Sequence, residues 1–343
     1  SFISWRTSSL VMRRRRWYSH SWKGTSMAAI SARERAMLDF AMKVCEEIYG
    51  KDKRIISSNG SYGDEKSFKY MVASNGFEGE SANSSFTLVG NVSIKGEGDA
   101  RPESYWYDSS IYYNELQKDG IGTKSIERVL QKLGQQKIAS GKYAMVVDNM
   151  NSSRLLSPVI GALYGSAIQQ KNSFLLDKQD KLVLGSNVTI NDEPHLVKAE
   201  GARYFDNEGV ATTPRAIFNE GVLNTYFIDT YNANKMQVKS TISSPSILTM
   251  QHGMKDVNGL VASLGKGILV TGFNGGNCNS TTGDFSYGIE GFHIENGKTT
   301  QPISEMNVTG NMITLWNNLS EAGNDIRKSS SWRIPSLLFK DVD

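Results

Sequence analysis

The sequence has few of the residues that build disulfide frameworks and histidine-based metal sites. It contains only two cysteines, Cys45 and Cys278, among 343 residues. Two cysteines give no disulfide framework, and such sparse usage is typical of a reducing compartment such as the cytoplasm. The histidines are equally few and lie far apart, so no two of them can share a helical turn as zinc ligands. They are His20, His195, His252 and His293.

Long apolar runs and a strong charge imbalance are also lacking. No stretch approaches the roughly twenty apolar residues that a helix needs to span a bilayer. The formal net charge of +3 is too small to indicate a nucleic-acid partner. The Walker A pattern does not occur, and the glycines at 272–276 lack the spacing of a dinucleotide-binding loop. We therefore expect no nucleic-acid partner and no membrane partner.

Residues 1–30 form a basic and aromatic segment without any acidic residue, including four consecutive arginines at 13–16. The segment lacks the apolar core of a secretory signal peptide. Its composition is compatible with a transit peptide or a phosphate-binding patch, but solvated charge is the simpler interpretation. Truncation and disorder remain open alternatives, and we assign no function to this segment.

The remaining sequence predicts an α+β protein of two domains. Residues 1–140 are predicted as a mixed α/β domain with flanking helices, strands at 54–57, 67–73 and 86–94, and a hairpin turn at Asn75-Gly76. Residues 141–343 are predicted as a mainly antiparallel β domain, arranged as a sheet or a barrel-like assembly. One long helix at 152–170, with apolar residues at helical spacing, belongs to this second domain.

The most informative stretch covers residues 272–297 and reads GFNGGNCNSTTGDFSYGIEGFHIENG. Three glycines in its first five residues follow a short apolar strand, where they allow left-handed backbone or the close approach of another chain. Further on, aromatic and aliphatic residues alternate with small or polar ones at strand spacing. Asn296-Gly297 is a hairpin-turn signal, so this stretch predicts a strand and its return.

The run TGDFSYGIEGFHIENG, followed by PISEM at 302–306, resembles the signature of the TldD/PmbA family. This family is related to metallopeptidases and was once described as modulators of DNA gyrase. Other matching pieces are GARYFDNEG at 201–209, GVLNTYFIDTY at 221–231 and GND at 323–325. The resemblance is greatest to the PmbA branch, also called TldE.

The resemblance also implies that a metal site is missing here. In the TldD branch, a helix carries His-Glu-x-x-x-His, which supplies zinc ligands and a general base. Set against the helix at 152–170, these positions fall on Ser157, Pro158 and Ala162. Neither proline nor alanine has a donor side chain, and Pro158 suits the first turn of a helix. We therefore expect no catalytic residue on this helix, no metal in this chain, and zinc in a TldD-type partner.

We assign the loop of the glycine-rich stretch to substrate binding, because an extended peptide can pair with an exposed strand edge. Cys278 could instead act as a nucleophile, but no neighbouring base is identifiable. Asp284 follows a glycine and is more simply explained as a turn residue. The residues assigned to peptide binding are Asn274, Gly275, Gly276, Asn277, Cys278 and Asp284.

The resemblance therefore implies a PmbA/TldE-like subunit of a TldD/TldE-type metalloprotease complex that acts on unfolded or extended peptides in the cytoplasm. The expected partner is a TldD-type chain, in a heterodimer. The alternative is a stand-alone homodimeric modulator that binds peptides without hydrolysis, related to toxin–antitoxin or DNA gyrase systems. A third hypothesis is a peptidase with an unrecognised site around Cys278.

Overall fold

The computed structural model describes residues 9–14 and 32–343. Within the segment 1–30, only the strand Ser9–Arg14 is therefore described, and our interpretation of the other positions lies outside the described residues. The chain divides into two units, Ser1–Gly134 and Gln135–Asp343. Both units combine helices with β-sheets, which confirms the predicted α+β fold class. No helix in the described part of the chain is long and apolar enough to cross a membrane.

The first unit is a four-stranded sheet in the order β1-β2-β3-β4, and all its strand pairs are antiparallel. Two helices bury their apolar residues against it, including Val44, Ile48 and Val129, which pack with Leu88 and Ile94 of the sheet. The elements are β1 (Ser9–Arg14), α1 (Ala32–Ile48), β2 (Ile55–Val72), β3 (Glu78–Ile94), β4 (Glu103–Ser110), a short 3-10 helix (Tyr113–Glu115) and α2 (Ile121–Leu130).

The strand β2 runs for 18 residues where the sequence predicts two short strands. The sequence predicts an interruption because residues 59–64 are rich in turn-forming types. Instead, Gly60 pairs directly with Gly90 of β3 beneath the helices. A Cβ on Gly60 would lie 2.1 Å from the carbonyl oxygen of Ala41, so the glycine lets helix α1 lie close against the sheet. The hairpin turn predicted at Asn75-Gly76 is confirmed between β2 and β3.

The second unit contains two sheets. A seven-stranded sheet has the order β11-β12-β10-β5-β16-β14, with β13 paired to β12, and a five-stranded sheet has the order β15-β9-β6-β7-β8. Most pairs are antiparallel, but β5 runs parallel to β10 and β15 runs parallel to β9. Both sheets are open, so the barrel-like alternative is not found among the described residues. The hairpin turn predicted at Asn296-Gly297 is confirmed between β12 and β13.

The core of the second unit is centred on Trp316, which is fully buried, donates its indole N–H to the Leu155 carbonyl, and meets the ring of Phe339 edge to face. The strands are β5 (Tyr143–Val147), β6 (Ile190–Asp192), β7 (Arg215–Asn219), β8 (Val222–Leu223), β9 (Leu248–Met250), β10 (Lys266–Phe273), β11 (Asn277–Cys278), β12 (Asp284–Glu295), β13 (Lys298–Asn311), β14 (Leu319–Ala322), β15 (Trp332–Arg333) and β16 (Leu337–Val342). The helices are α3 (Ser153–Gly161), α4 (Gly165–Gln169), α5 (Thr230–Met236), α6 (Val257–Ala262) and α7 (Met312–Asn317).

The long helix predicted at 152–170 is divided into α3 and α4. Between them the backbone pairs with Phe227: the Phe227 N–H donates to the Leu163 carbonyl at 2.9 Å, and the Gly165 N–H donates to the Phe227 carbonyl at 2.7 Å. These bonds replace helical bonds that a continuous helix would make. Pro158 lies inside α3, not in its first turn as predicted, and cannot donate to the carbonyl four residues before it.

Candidate functional site

The candidate site lies where the chain leaves β5 and turns into α3. The Asp148 N–H continues the pairing of β5 with β10 by donating to the Val270 carbonyl at 3.1 Å. The Asp148 carboxylate then accepts bonds from the backbone and the side chain of Asn151, which sets the turn. The Asn151 amide also donates to the Thr271 carbonyl at 2.9 Å. The first turn of α3 is therefore held against the end of β10.

Helix α3 has one buried side and one side open to solvent. Leu155, Leu156, Val159 and Ile160 are buried in the core, whereas Arg154 and Ser157 are exposed. Because residues three positions apart lie on the same face of a helix, Arg154 and Ser157 are neighbours on the open side. This open side meets the end of β10, where the loop at 274–276 begins.

A cleft of about 580 Å³ lies between α3, the end of β10 and β15. Its walls combine three large apolar side chains with hydroxyl and amide groups, and they include a single charged residue, Arg154. The lining residues are Met150, Asn151, Ser153, Arg154, Ser157, Phe273, Gly275 and Trp332. This volume falls within the range of roughly 300–1,000 Å³ that is usual for sites that take small ligands.

The guanidinium of Arg154 is held by two contacts across the cleft. Its Nη2 donates to the Gly276 carbonyl at 3.1 Å, and its Cζ lies 4.8 Å from the ring centroid of Tyr287. Burial raises the pKa of the Tyr287 hydroxyl. The negative π face of the ring attracts the guanidinium cation. These contacts tie the first turn of α3 to the glycine-rich stretch.

The two adjacent glycines of the loop have different structural roles. Both have left-handed backbone, with φ of +81° at Gly275 and +83° at Gly276. A Cβ on Gly276 would lie 2.0 Å from the Ser286 carbonyl oxygen of β12, whereas a Cβ on Gly275 would meet nothing within 4 Å. Gly276 therefore lets the loop lie close against its own sheet, and Gly275 faces the open space of the cleft.

The structure separates the other positions assigned from the sequence. Asn274 is exposed and donates its backbone N–H to the Gly288 carbonyl at 2.7 Å. Asn277 pairs with Ser286 in strand β11. Of the three positions matched to the lost motif, Ser157 lines the cleft, Pro158 is half-buried on α3, and Ala162 is buried in the core.

Asp284 has the contacts of a turn residue. Its carboxylate accepts hydrogen bonds from the Asn311 side-chain amide at 2.9 Å and from the Thr282 hydroxyl at 2.7 Å. These bonds hold the pKa of Asp284 below its usual value. The same Asn311 amide donates to the Thr282 carbonyl, so the carboxylate organises the turn that precedes β12. Asp284 does not line the cleft.

Cys278 lacks the surroundings of an activated nucleophile. Its thiol is half-buried against the core and makes a weak polar contact to the Asn279 carbonyl at 3.7 Å. Burial, and secondly the nearby Asp284 carboxylate, raise the pKa of the Cys278 thiol. Because the thiolate is the reactive form, a raised pKa lowers nucleophilicity at neutral pH.

The side chains of the cleft do not fit a zinc ion. Zinc in proteins is bound by imidazole, thiolate and carboxylate groups, whereas the polar groups lining this cleft are hydroxyls, an amide and a guanidinium. The guanidinium would also repel a cation placed beside it. Among the side chains that the structure describes, no group of three or more His, Cys, Asp or Glu is arranged to hold a metal ion.

Sequence reasoning missed most of the cleft. A signal for Arg154 was present, because an arginine three positions before Ser157 shares its helix face. Met150 and Asn151 could have been placed near it as the residues that precede the helix. Phe273 and Trp332 gave no comparable signal, because their proximity depends on how distant strands are arranged.

Comparison with known proteins places this fold in a family. The profile of the PmbA/TldA metallopeptidase central domain matches residues 29–133, and that of the C-terminal domain matches residues 140–343. The chain belongs to the PmbA/TldD metallopeptidase family. The resemblance inferred from the glycine-rich stretch is thereby confirmed. PmbA/TldD chains with curated names include metalloprotease PmbA from Escherichia coli O157:H7, which is 28% identical over 309 residues.

Coverage and structural similarity support the same assignment. The alignment with the Escherichia coli PmbA covers 89% of this chain and 68% of that protein. A PmbA homolog from Haemophilus influenzae is 30% identical, covering 88% of this chain and 68% of that protein. A crystal structure from Bacteroides thetaiotaomicron, of a protein proposed as a modulator of DNA gyrase, is 63% identical with a TM-score of 0.90, covering 92% of this chain and 72% of that one.

TldE from Thermococcus kodakarensis shares the PmbA/TldD fold, with a TM-score of 0.77 over 89% of this chain and 73% of that one. At 17% identity this likeness concerns the fold alone.

The family-like segment at 201–209 has a structural role and does not line the cleft. Asp206, which is 1% exposed, accepts backbone N–H bonds from Glu208 and Val210 within its own turn and from Ser243 across the loop. Arg203 donates to the Ser244 and Pro245 carbonyls of the same distant segment. These residues anchor a long surface loop.

Proposed function

We propose that this chain is a PmbA/TldE-type subunit that holds peptide substrate for a TldD-type partner, which carries the zinc. The observation that carries the proposal is the cleft beside α3. It has the size of a ligand site, but the position matched to the first histidine of the TldD motif bears the hydroxyl of Ser157. A chain that has this cleft without zinc-binding side chains suits a binding role beside a catalytic partner.

The end of β10 supports a role in holding extended peptide. The pairing of β10 with β5 ends at Val270, so β5 leaves that side of residues 271–275 uncovered. The flanking Thr271 and Gly276 carbonyls already accept hydrogen bonds from the side chains of Asn151 and Arg154. Between them, Phe273 and Gly275 line the cleft. An extended peptide can add main-chain hydrogen bonds along such a stretch while its side chains enter the neighbouring cleft. The open space over Gly275 allows that close approach, and we place the substrate backbone there.

The proposal includes a cytoplasmic heterodimer in which this chain supplies the binding surface, and the TldD-type chain supplies the metal and its general base. What this chain contributes is orientation, because a peptide held in one register presents a chosen bond to a fixed reaction centre. No proton transfer or nucleophilic attack is assigned to the side chains of this chain.

A second candidate function is a stand-alone homodimeric modulator that binds peptide without cutting it. The 63% identity to the Bacteroides protein proposed as a modulator of DNA gyrase favours it. Such a modulator would bind the same peptides, but adding a TldD-type chain would produce no cleavage.

We expect cleavage of an unfolded peptide only when this chain is mixed with a TldD-type chain from the same organism. Each chain alone and the mixture are incubated with the peptide, and products are followed by mass spectrometry. The mixture should release products and neither chain alone should, because binding surface and metal are combined only in the mixture. Cys278→Ala should leave the mixture active, since the thiol has no assigned role.

Two outcomes would contradict this proposal. An inactive mixture that still binds the peptide would favour the stand-alone modulator. Cleavage by this chain alone, abolished by Cys278→Ala, would establish the third hypothesis of an independent peptidase. A matched control is Cys45→Ala, which removes the other, buried thiol from the first unit.

A further inference from the structure

We propose that Arg154 makes the cleft a recognition site for a carboxylate on the bound peptide, next to a large apolar side chain. The inference rests on the proposed function, because it names the chemical class of peptide that the cleft prefers. The carboxylate can belong to the C-terminus of a peptide or to an Asp or Glu side chain. Both sources present the same planar anion.

The first argument for a carboxylate site is the charge of the cleft. Arg154 is the one charged residue among the lining side chains, and no acidic side chain lines the cleft. Within the described part of the chain, Arg154 forms no ion pair. An arginine stays protonated at any physiological pH. The cleft therefore presents an unneutralised positive charge to its ligand, and this charge attracts an anion.

The second argument is the geometry of the Arg154 guanidinium. A guanidinium has five N–H donors, and this one uses a donor on the Gly276 carbonyl while its face rests over Tyr287. The remaining donors can form the paired bonds that arginine makes with carboxylates. Because the side chain is already held in place, binding requires less loss of rotamer freedom than a free surface arginine would suffer.

The third argument is the chemistry of the other residues that line the cleft. Met150, Phe273 and Trp332 supply apolar surface around the single charge. The hydroxyls of Ser153 and Ser157 and the amide of Asn151 lie among the same lining residues and can bond peptide groups. This combination matches a peptide segment in which a bulky apolar side chain lies beside a carboxylate. It does not match a basic segment, which Arg154 would repel.

The test measures how the full chain, alone and with its TldD-type partner, binds labelled peptides by fluorescence anisotropy. One peptide ends in an apolar residue with a free carboxylate and contains no acidic side chain. The second is its C-terminal amide, and the third is the amide with one internal Asp. We expect the free acid or the Asp peptide to bind roughly 10- to 100-fold more tightly than the plain amide, as for a charge-assisted hydrogen bond.

Substitutions of Arg154 test whether this side chain causes the difference in affinity between the carboxylate peptides and the plain amide. Arg154→Gln should weaken binding of the carboxylate peptides at least tenfold more than it weakens binding of the plain amide. Arg154→Lys should restore part of the preference, since it keeps the charge without the paired donors. Lys239→Gln, at an exposed position outside the cleft, removes one charge in the same way and should change neither affinity.

The outcomes separate this inference from the proposed function. Equal, measurable affinity for acid and amide peptides would overturn the carboxylate site and leave peptide binding intact. The carboxylate site is also overturned if Arg154→Gln weakens both peptides equally, because the arginine would then act only through packing on Tyr287. If no peptide binds to the chain or to the mixture, the proposed function falls as well. Preference for the free acid over the Asp peptide identifies the C-terminus as the source.

Discussion

Gly276→Ala should destabilise the second unit by about 3–5 kcal/mol, whereas Gly275→Ala next to it should cost about 1 kcal/mol. Both substitutions force an alanine into left-handed backbone. Only the first also drives a methyl group into the Ser286 carbonyl oxygen, at 2.0 Å. Ser286 cannot easily retreat, because it lies in β12 between partners on β11 and β13. The strand pairing must therefore distort.

Chemical denaturation followed by tryptophan fluorescence measures the difference, with Trp316 and Trp332 as reporters in this unit. The adjacent glycine is the matched control, since it has the same backbone conformation and chemistry. If the two variants lost equal amounts of unfolding free energy, backbone strain alone would account for the destabilisation. The close contact between Gly276 and β12 would then add nothing to it. Because the substrate backbone is placed in the open space over Gly275, Gly275→Ala should weaken peptide binding even though the chain stays folded.

Asp206→Ala should cost about 2–4 kcal/mol at neutral pH, because it leaves buried backbone N–H groups without their acceptor. Burial on its own would raise the pKa of Asp206, but the N–H groups of Ser243, Val210 and Glu208 outweigh it and hold the pKa below its usual value. A lowered folded-state pKa means that the carboxylate stabilises the fold above its unfolded pKa, near 4. That stabilisation is lost as the pH falls through the folded-state value.

The stability gap between the wild-type chain and the variant should therefore be large at pH 7 and shrink in acid. Urea denaturation across this pH range measures it. Asp206→Asn is the matched variant, because its amide oxygen can still accept from the turn, while its NH₂ group cannot accept from Ser243. We expect it to lie between wild type and Asp206→Ala. A gap that is independent of pH would show that the charge of Asp206 does not contribute.

The parts of the fold that local chemistry determines were predictable from the sequence. The turns at Asn75-Gly76 and Asn296-Gly297 are of this kind, because the left-handed backbone of a tight hairpin falls on Gly76 in the first turn and on both Asn296 and Gly297 in the second. The predicted secondary structure is wrong where contacts between residues distant in sequence determine the backbone conformation. Strand β2 continues through Gly60 because a helix packs over it, and the helix at 152–170 breaks because Phe227 pairs with its backbone.

The candidate site was only partly predictable for the same reason. The family resemblance singled out Ser157 only as the position of a lost histidine, and glycine content indicated Gly275 as a substrate-binding residue; both line the cleft. Arg154 shares a helix face with Ser157 and could have been inferred from spacing. Trp332 reaches the cleft from β15, which pairs with β9 in the other sheet, so no local pattern indicates it. Sequence patterns identify residues within one helix or strand more readily than they identify a cleft formed by three separate elements.

Zinc content tests the central claim most directly: that this member of a metallopeptidase family offers a binding cleft without metal ligands. The full chain and a TldD-type chain that carries His-Glu-x-x-x-His are purified alike, incubated with zinc, dialysed, and measured by elemental mass spectrometry. We expect stoichiometric zinc in the TldD-type chain and none retained by this one. One tightly held zinc per copy of this chain, with ligands from its second unit, would contradict the account.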